Sequence, residues 1–339
     1  MIRIENLYFL LCYAWDILPV RSLLHVDAQK APNVLNLLAT VFLTHLSRQL
    51  KRGLPHRYVV VVEELQGIRG SLLFSETIRK NWGGAGKAVC RFDEFNPNHA
   101  ANRILKTTLD RLCRAEKLAE SLQQRAVGLQ RSLTEIEPAD SISHSQFRHL
   151  LHQTRVPSER LLLHLAQLLH KNLLVNEQTG GFTFQEFWKD EKKMSAVFET
   201  FVRNFYRMEQ HRYSVKREHI AWQLEASEVD RQFLPRMVTD ISLEAIDRKI
   251  IIDTKYYAET LQRHFDAQKV HSTHLYQLFA YLKNQPVDSK RVEGILLYPV
   301  TERSLALRYV QGPYAIRVET IDLAQPWQRI HAQLLKLIQ

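Results

Sequence analysis

The sequence predicts an α+β chain of two domains, and three observations support this. Apolar residues before about residue 205 recur mainly at helical spacing. From residue 237 the pattern turns to short β-type runs, interrupted by one helical stretch and closed by another. Between the two patterns lie a polar connector at 137–157, bearing Pro138 and Pro157, and a break at Thr179-Gly180-Gly181. The boundary is expected within 138–180, giving domains of 1–150 and 151–339. At 339 residues the chain is long enough for both.

The elements follow in order. The apolar run Leu7 to Trp15 is too short to span a bilayer, and Glu5 spoils a leader-like start, so the run is expected in the core. Val34, Leu37, Leu38, Val41, Phe42 and Leu46 predict a helix over 33–50. The Val-rich run 57–64 predicts a strand, Gly67-Ile68-Arg69-Gly70 a turn, and Ser71–Phe74 a second strand. Residues 81–86, Asn-Trp-Gly-Gly-Ala-Gly, predict a flexible loop. A long helix is expected from Ala100 to Leu133, with Ile104, Leu105, Leu109 and Leu112 on one face, and another from Ser158 to Val175. Met194, Val197, Phe198, Phe201, Val202 and Phe205 form a further amphipathic stripe. Strands are expected at 237–244, 249–256 and 292–299, with a hairpin at 304–320 about Gly312-Pro313. Helices are expected at 271–283 and 326–338.

Composition narrows the function classes. With 46 Lys+Arg against 36 Asp+Glu, the net charge of +10 favours a polyanionic partner such as nucleic acid. Cys12, Cys90 and Cys113 are odd in number and widely spaced, so neither a disulfide framework nor a zinc site is indicated. No stretch approaches the roughly 18 apolar residues of a membrane helix, and a cytoplasmic location is expected.

The chemistry-bearing segment runs from Thr239-Asp240-Ile241 to Ile252-Asp253-Thr254-Lys255. Two β-type runs flank a short polar connection, so a hairpin is the natural reading. A turn centred between Ile246 and Asp247 sets Asp240 opposite Asp253. Side chains so opposed have Cβ atoms about 4.5–5.5 Å apart. Two carboxylates at that range repel unless a cation joins them or one takes up a proton. Alternation puts Ile251, Asp253 and Lys255 on one strand face and Ile250, Ile252 and Thr254 on the other. An otherwise apolar strand carrying Asp and Lys would be costly without a purpose. Mg²⁺ held by Asp240 and Asp253 provides one, because hard oxygen ligands suit it and it keeps waters for phosphate. Lys255 would orient or help deprotonate the attacking water. The bland alternative is a hairpin with ordinary ion pairs.

This arrangement resembles the PD-(D/E)xK nuclease superfamily, with Asp240 as first acid and Asp253-Thr254-Lys255 as the (D/E)xK. Gln277-Leu278-Phe279-Ala280-Tyr281 is similar to the Gln-x-x-x-Tyr helix of its RecB-like branch, where both residues support the site. Glu199 matches a helix-borne Glu that adds a metal contact in many such enzymes. Separated blocks extend the resemblance to the McrC family over nearly the whole chain: Glu5–Trp15, Gly67–Gly70, Ala101–Leu109, Leu234–Met237, Ile252–Tyr257 and Leu275–Leu278.

The resemblance implies a mixed α/β partner-docking domain followed by a restriction-endonuclease-like domain with a central mixed sheet flanked by helices. It implies catalysis by Asp240, Asp253 and Lys255, support by Gln277, Tyr281 and Glu199, and Mg²⁺ held by Asp240, Asp253 and the Thr254 main-chain carbonyl. The implied partners are an McrB-like AAA+ GTPase ring, whose GTP hydrolysis the chain would stimulate, and double-stranded methylated DNA. The GTP would be bound by the ring. In agreement, Gly83-Gly84-Ala85-Gly86-Lys87-Ala88 is no P-loop, since Asn81 and Ala88 stand where Gly and Ser/Thr are required. Two alternatives are a stand-alone RecB-like nuclease and a non-catalytic adaptor of an AAA+ ring. Arg69 is a surface turn residue or a motor contact. His271 and His274 are expected at the surface or facing DNA rather than binding zinc.

Overall fold

The computed structural model describes residues 2–17, 31–80, 86–256, 262–264, 267–286, 290–301 and 303–339. The expected loop at 81–86 thus lies almost wholly outside the described residues. In chain order the elements are α1 (Ile4–Ala14), α2 (Val34–Arg52), β1 (Arg57–Leu65), β2 (Ser71–Leu72), α3 (Phe74–Lys80) and β3 (Ala88–Asn96). Next come α4 (Ala100–Cys113), α5 (Glu120–Arg131), α6 (His144–Gln153), α7 (Pro157–Asn172), β4 (Leu173–Val175) and β5 (Phe182–Phe184). They are followed by α8 (Glu191–Glu209), β6 (Ser214–Lys216), β7 (His219–Ile220), α9 (Glu228–Arg231), β8 (Met237–Val238), β9 (Ile241–Glu244) and β10 (Arg248–Thr254). The last are β11 (Gln262–His264), β12 (Ala267–Lys269), α10 (Ser272–Lys283), β13 (Arg291–Pro299), β14 (Ala306–Gln311), β15 (Tyr314–Ile321) and α11 (Trp327–Leu337). No helix among the described residues is long and apolar enough to cross a membrane.

The chain divides into two compact units, 30–185 and 1–29 together with 186–339. The division therefore does not fall at 150/151. Helix α7 packs on α2 and α4, and the β4–β5 hairpin bridges to Ala115, so both belong with the segment before them. Helix α1 packs on α8 through Tyr13, whose ring lies 5.7 Å from Phe201 and 5.4 Å from Phe205. The N-terminal run is core as expected, but core of the later unit.

In the 30–185 unit, β1, β3 and β2 form an antiparallel sheet, in which β3 was not legible from the sequence. The helix expected over 100–133 is two helices. Lys117 adopts a left-handed φ of 60°, and Arg114 and Glu116 exchange main-chain hydrogen bonds with Phe182, so the chain turns there. The polar connector holds α6, begun by a capping box in which Ser143 and Gln146 satisfy each other's backbone N–H. Phe74 starts α3 instead of ending a strand.

The other unit is built on a six-stranded mixed sheet in the order β14-β15-β13-β10-β9-β6. β10, β13 and β15 are parallel, and β9, β6 and β14 run antiparallel to their neighbours. Helix α10 covers one face. It approaches so closely that a Cβ on Gly294 would stand 2.9 Å from Leu278. Ile251, Leu278, Leu282, Leu296, Tyr298 and Val318 form the core there. Helix α8 packs on β9 and β10, where Ile250 and Ile252 are fully buried, and α11 packs on β15. A buried Glu293 lies between Arg248 (2.7 Å) and Arg317 (3.1 Å), which also donate to the main-chain carbonyls of Leu337, Ile338 and Gln339. That pairing compensates the burial of the carboxylate.

Candidate active site

Strand β10 is the interior strand that positions the site. Its ladder to β9 runs from Lys249 opposite Glu244 to Ile252 opposite Ile241, the register expected from the sequence. The ladder stops there, and Asp240 stands one residue beyond it. The strand expected over 237–244 is broken at Thr239-Asp240, because β8 leaves the main sheet to pair with β7. Thr239 fixes the break: its N–H donates to the Glu218 carbonyl (2.9 Å) and its Oγ1 accepts from the Glu218 N–H (3.0 Å).

Freed from the ladder, the Asp240 carboxylate reaches the end of β10. Its Oδ2 accepts from the Thr254 N–H at 2.9 Å and the Thr254 hydroxyl at 3.0 Å. These bonds hold Asp240 beside Asp253 and Lys255. Lys255 Nζ stands 2.7 Å from Asp253 Oδ2. It also donates to Gln277 Oε1 at 3.2 Å, Gln277 Nε2 donates to the Tyr281 hydroxyl at 2.7 Å, and that hydroxyl donates to the Val238 carbonyl at 2.9 Å. Alternation along β10 and one turn of α10 thus place Lys255, Gln277 and Tyr281 in one line ending on β8. Of the six side chains singled out in the sequence, five gather here.

Asp253 is fully buried. The Lys255 contact is an ion pair outside hydrogen-bond geometry, so neither carboxylate oxygen accepts a directed bond among the described residues. Burial pushes the Asp253 carboxyl up to about 7, opposed by Lys255 and reinforced by the charges of Asp240 and Glu199. A buried carboxylate whose oxygens accept no directed hydrogen bond, beside a second acid, suits a hard cation. No three His, Cys, Asp or Glu residues group as metal ligands among the described residues. Two neighbouring carboxylates are hard oxygen donors, a chemistry that suits Mg²⁺ better than zinc.

The sixth residue, Glu199 on α8, is differently engaged. Its Oε1 accepts from Arg203 at 2.8 Å and lies 3.9 Å from Arg217. Arg203, four residues on, also donates to the Asp240 carbonyl at 3.4 Å. The sequence reading missed Arg203, Thr239 and the Thr254 hydroxyl; the Glu199–Arg203 spacing of i,i+4 was the available signal for the first. His274 is buried and bonded through Nδ1 to the Tyr298 hydroxyl at 2.8 Å, so it does not face outward as expected. Burial, then Lys255 and His271, hold its pKa down to about 4. Arg69 lies with its guanidinium carbon 4.1 Å over the Phe92 ring.

A sequence profile of the family described as "McrBC 5-methylcytosine restriction system component" matches residues 4–299. The chain is 30% identical to the Escherichia coli (strain K12) protein "Type IV methyl-directed restriction enzyme EcoKMcrBC" over 341 aligned positions. These cover 99% of this chain and 97% of that protein. Among solved structures, 99% of the chain matches 76% of a chain in the "Refined half-complex from tetradecameric assembly of Thermococcus gammatolerans McrB AAA+ hexamers with bound McrC". The TM-score is 0.57 and the identity 17%, a likeness of fold. A weaker match, with TM-score 0.42 and 21% identity, covers 62% of this chain and 60% of a chain in the "Cryo-EM structure of the Thermococcus gammatolerans McrBC complex".

Proposed function

We propose, from the premise that this chain belongs to the family of McrBC 5-methylcytosine restriction system components, that it is the Mg²⁺-dependent endonuclease subunit of a GTP-driven complex that cuts methylated duplex DNA. The fold assignment that goes with this is PD-(D/E)xK. The observation that carries the reading is the fully buried Asp253 carboxylate, lacking directed hydrogen bonds, beside Asp240 and Lys255.

Asp240, Asp253 and the Thr254 main-chain carbonyl would hold Mg²⁺, which when bound polarises a phosphate and acidifies a coordinated water. Thr254 keeps Asp240 in place through its N–H and hydroxyl. Lys255 carries the positive charge that orients the attacking water and offsets charge building on the phosphate. Gln277 and Tyr281 hold that ammonium in line and tie it to the strand leading into Asp240. The presence of Asp240, Asp253 and Lys255 together favours this over an adaptor without chemistry. The partner is an AAA+ GTPase ring, with the 30–185 unit in the docking and coupling role, and GTP belongs to the ring. Residues 83–88 do not supply a nucleotide-binding loop.

The test combines the chain, its AAA+ partner, GTP, Mg²⁺ and methylated or unmethylated duplex DNA. Methylated DNA is expected to be cut, and Asp253→Ala to lower the rate by about a hundredfold or more while stimulation of the partner's GTPase persists, as for loss of a carboxylate that holds the metal. Cutting by Asp253→Ala at the wild-type rate would overturn the reading.

A further inference from the structure

We infer that Arg203 and Arg217 form a clamp for a DNA phosphate flanking the scissile bond, held in readiness by Glu199. This rests on the nuclease reading above and adds a substrate contact to it.

Asp240 and Asp253 at the site, with Glu199 near enough to act on Asp253 electrostatically, stand against the ammonium of Lys255. A polyanionic strand approaching them needs further positive charge at the rim. Arg203 and Arg217 are the two guanidiniums that converge on Glu199, at 2.8 and 3.9 Å. Arg203 is anchored beside the first acid by its bond to the Asp240 carbonyl. Both of its bonds use NH1, so Nε and NH2 make no hydrogen bond among the described residues. Guanidinium is a planar five-donor fork suited to bidentate phosphate. Arg217 has its side chain 57% exposed and, among the described residues, only the long pair to Glu199, so it can turn outward at little cost.

Arg248 and Arg317 of the same unit are placed differently. They are bound to the buried Glu293 and to main-chain carbonyls of the C-terminal segment. Arg203 and Arg217 share one carboxylate that a phosphate can replace without leaving a buried charge unpaired. In this account Glu199 keeps two like charges together until the strand arrives. It is a placeholder for phosphate, not the metal contact expected from its position on α8.

The test is equilibrium binding of the full chain to a short duplex without divalent cation, over a range of salt concentration. Each phosphate contact contributes about 0.9 to the slope of log K against log salt. Arg217→Ala and Arg203→Gln are each expected to flatten the slope by about that amount, and Arg217→Lys to restore it. Glu199→Gln should tighten binding without flattening it. If Arg203 served only to steady Asp240, its variant would lower the melting temperature and leave the slope alone. Wild-type slopes in both arginine variants would overturn the clamp. No cleavage enters this readout, so failure of the clamp and failure of the nuclease reading, which shows in Asp253→Ala, are separable.

Discussion

Two strands of this protein look alike in sequence and have opposite fates. β1 carries Val59-Val60-Val61-Val62, and β10 carries Ile250-Ile251-Ile252. β10 lies between β9 and β13, and every residue from Lys249 to Thr254 is buried. β1 is an edge of a three-stranded sheet, with Tyr58 76%, Val60 61% and Val62 48% exposed on one face. An apolar run therefore states that burial is available on at least one face, and the number of layers decides the rest. The difference teaches where a charge is informative. Glu63 and Glu64 on β1 are exposed and need no explanation, whereas Asp253 on β10 is buried, accepts no directed hydrogen bond and lies adjacent to another acid.

Truncation should separate the two strands. Ile251→Ala opens a cavity beneath α10 and should cost about 2–5 kcal/mol in denaturant unfolding. Val60→Ala on the open face of β1 should stay within about 0.5 kcal/mol. Equal losses would mean that β1 is covered in solution.

Asp253 also sets β10 apart. Its carboxyl titrates near 7 against an ordinary 3.8, so the folded chain holds this proton more tightly than the unfolded chain. Stability from the protonated form is complete below about pH 4 and is lost as pH rises through 7. Metal-free Asp253→Asn, which cannot ionise, should therefore exceed wild type at pH 8 by an amount on the order of a few kcal/mol, with the gap closing towards pH 4. Melting curves across that range provide the check, and a pH-independent difference would refute the assigned cause. Added Mg²⁺ should stabilise wild type at pH 8 more than the Asn variant, because a cation bound only by the native state adds to its stability.

A smaller effect tests the packing that makes β10 a two-sided strand. Gly294→Ala places a Cβ against Leu278 of α10. Leu278 can yield only by displacing its neighbours, and the expected cost is about 1–3 kcal/mol. Because Gln277 precedes Leu278, this variant should also weaken the Lys255–Gln277–Tyr281 line, read as a fall in cleavage larger than the loss of folded protein explains.

The sequence by itself determined the parts governed by neighbours along the chain. The period of apolar residues marked α2, α8, α10 and α11 closely, and turn chemistry marked the β14–β15 hairpin at Gly312. The centre of the 245–248 turn set the β9–β10 register and so brought Asp240, Asp253 and Lys255 to one place, because hairpin register follows from the turn. The tertiary structure decided what depends on distant partners. The break of 237–244 follows from β8 pairing with β7, and the split of 100–133 from Phe182 binding across the gap, neither of which any local pattern records. The two units of the chain follow the packing of α1 on α8 and α7 on α4, not the polar connector. The burial of Asp253 and the engagement of Glu199 by two arginines belong to the same class, since desolvation and ion pairing are set by what a fold stacks above a side chain.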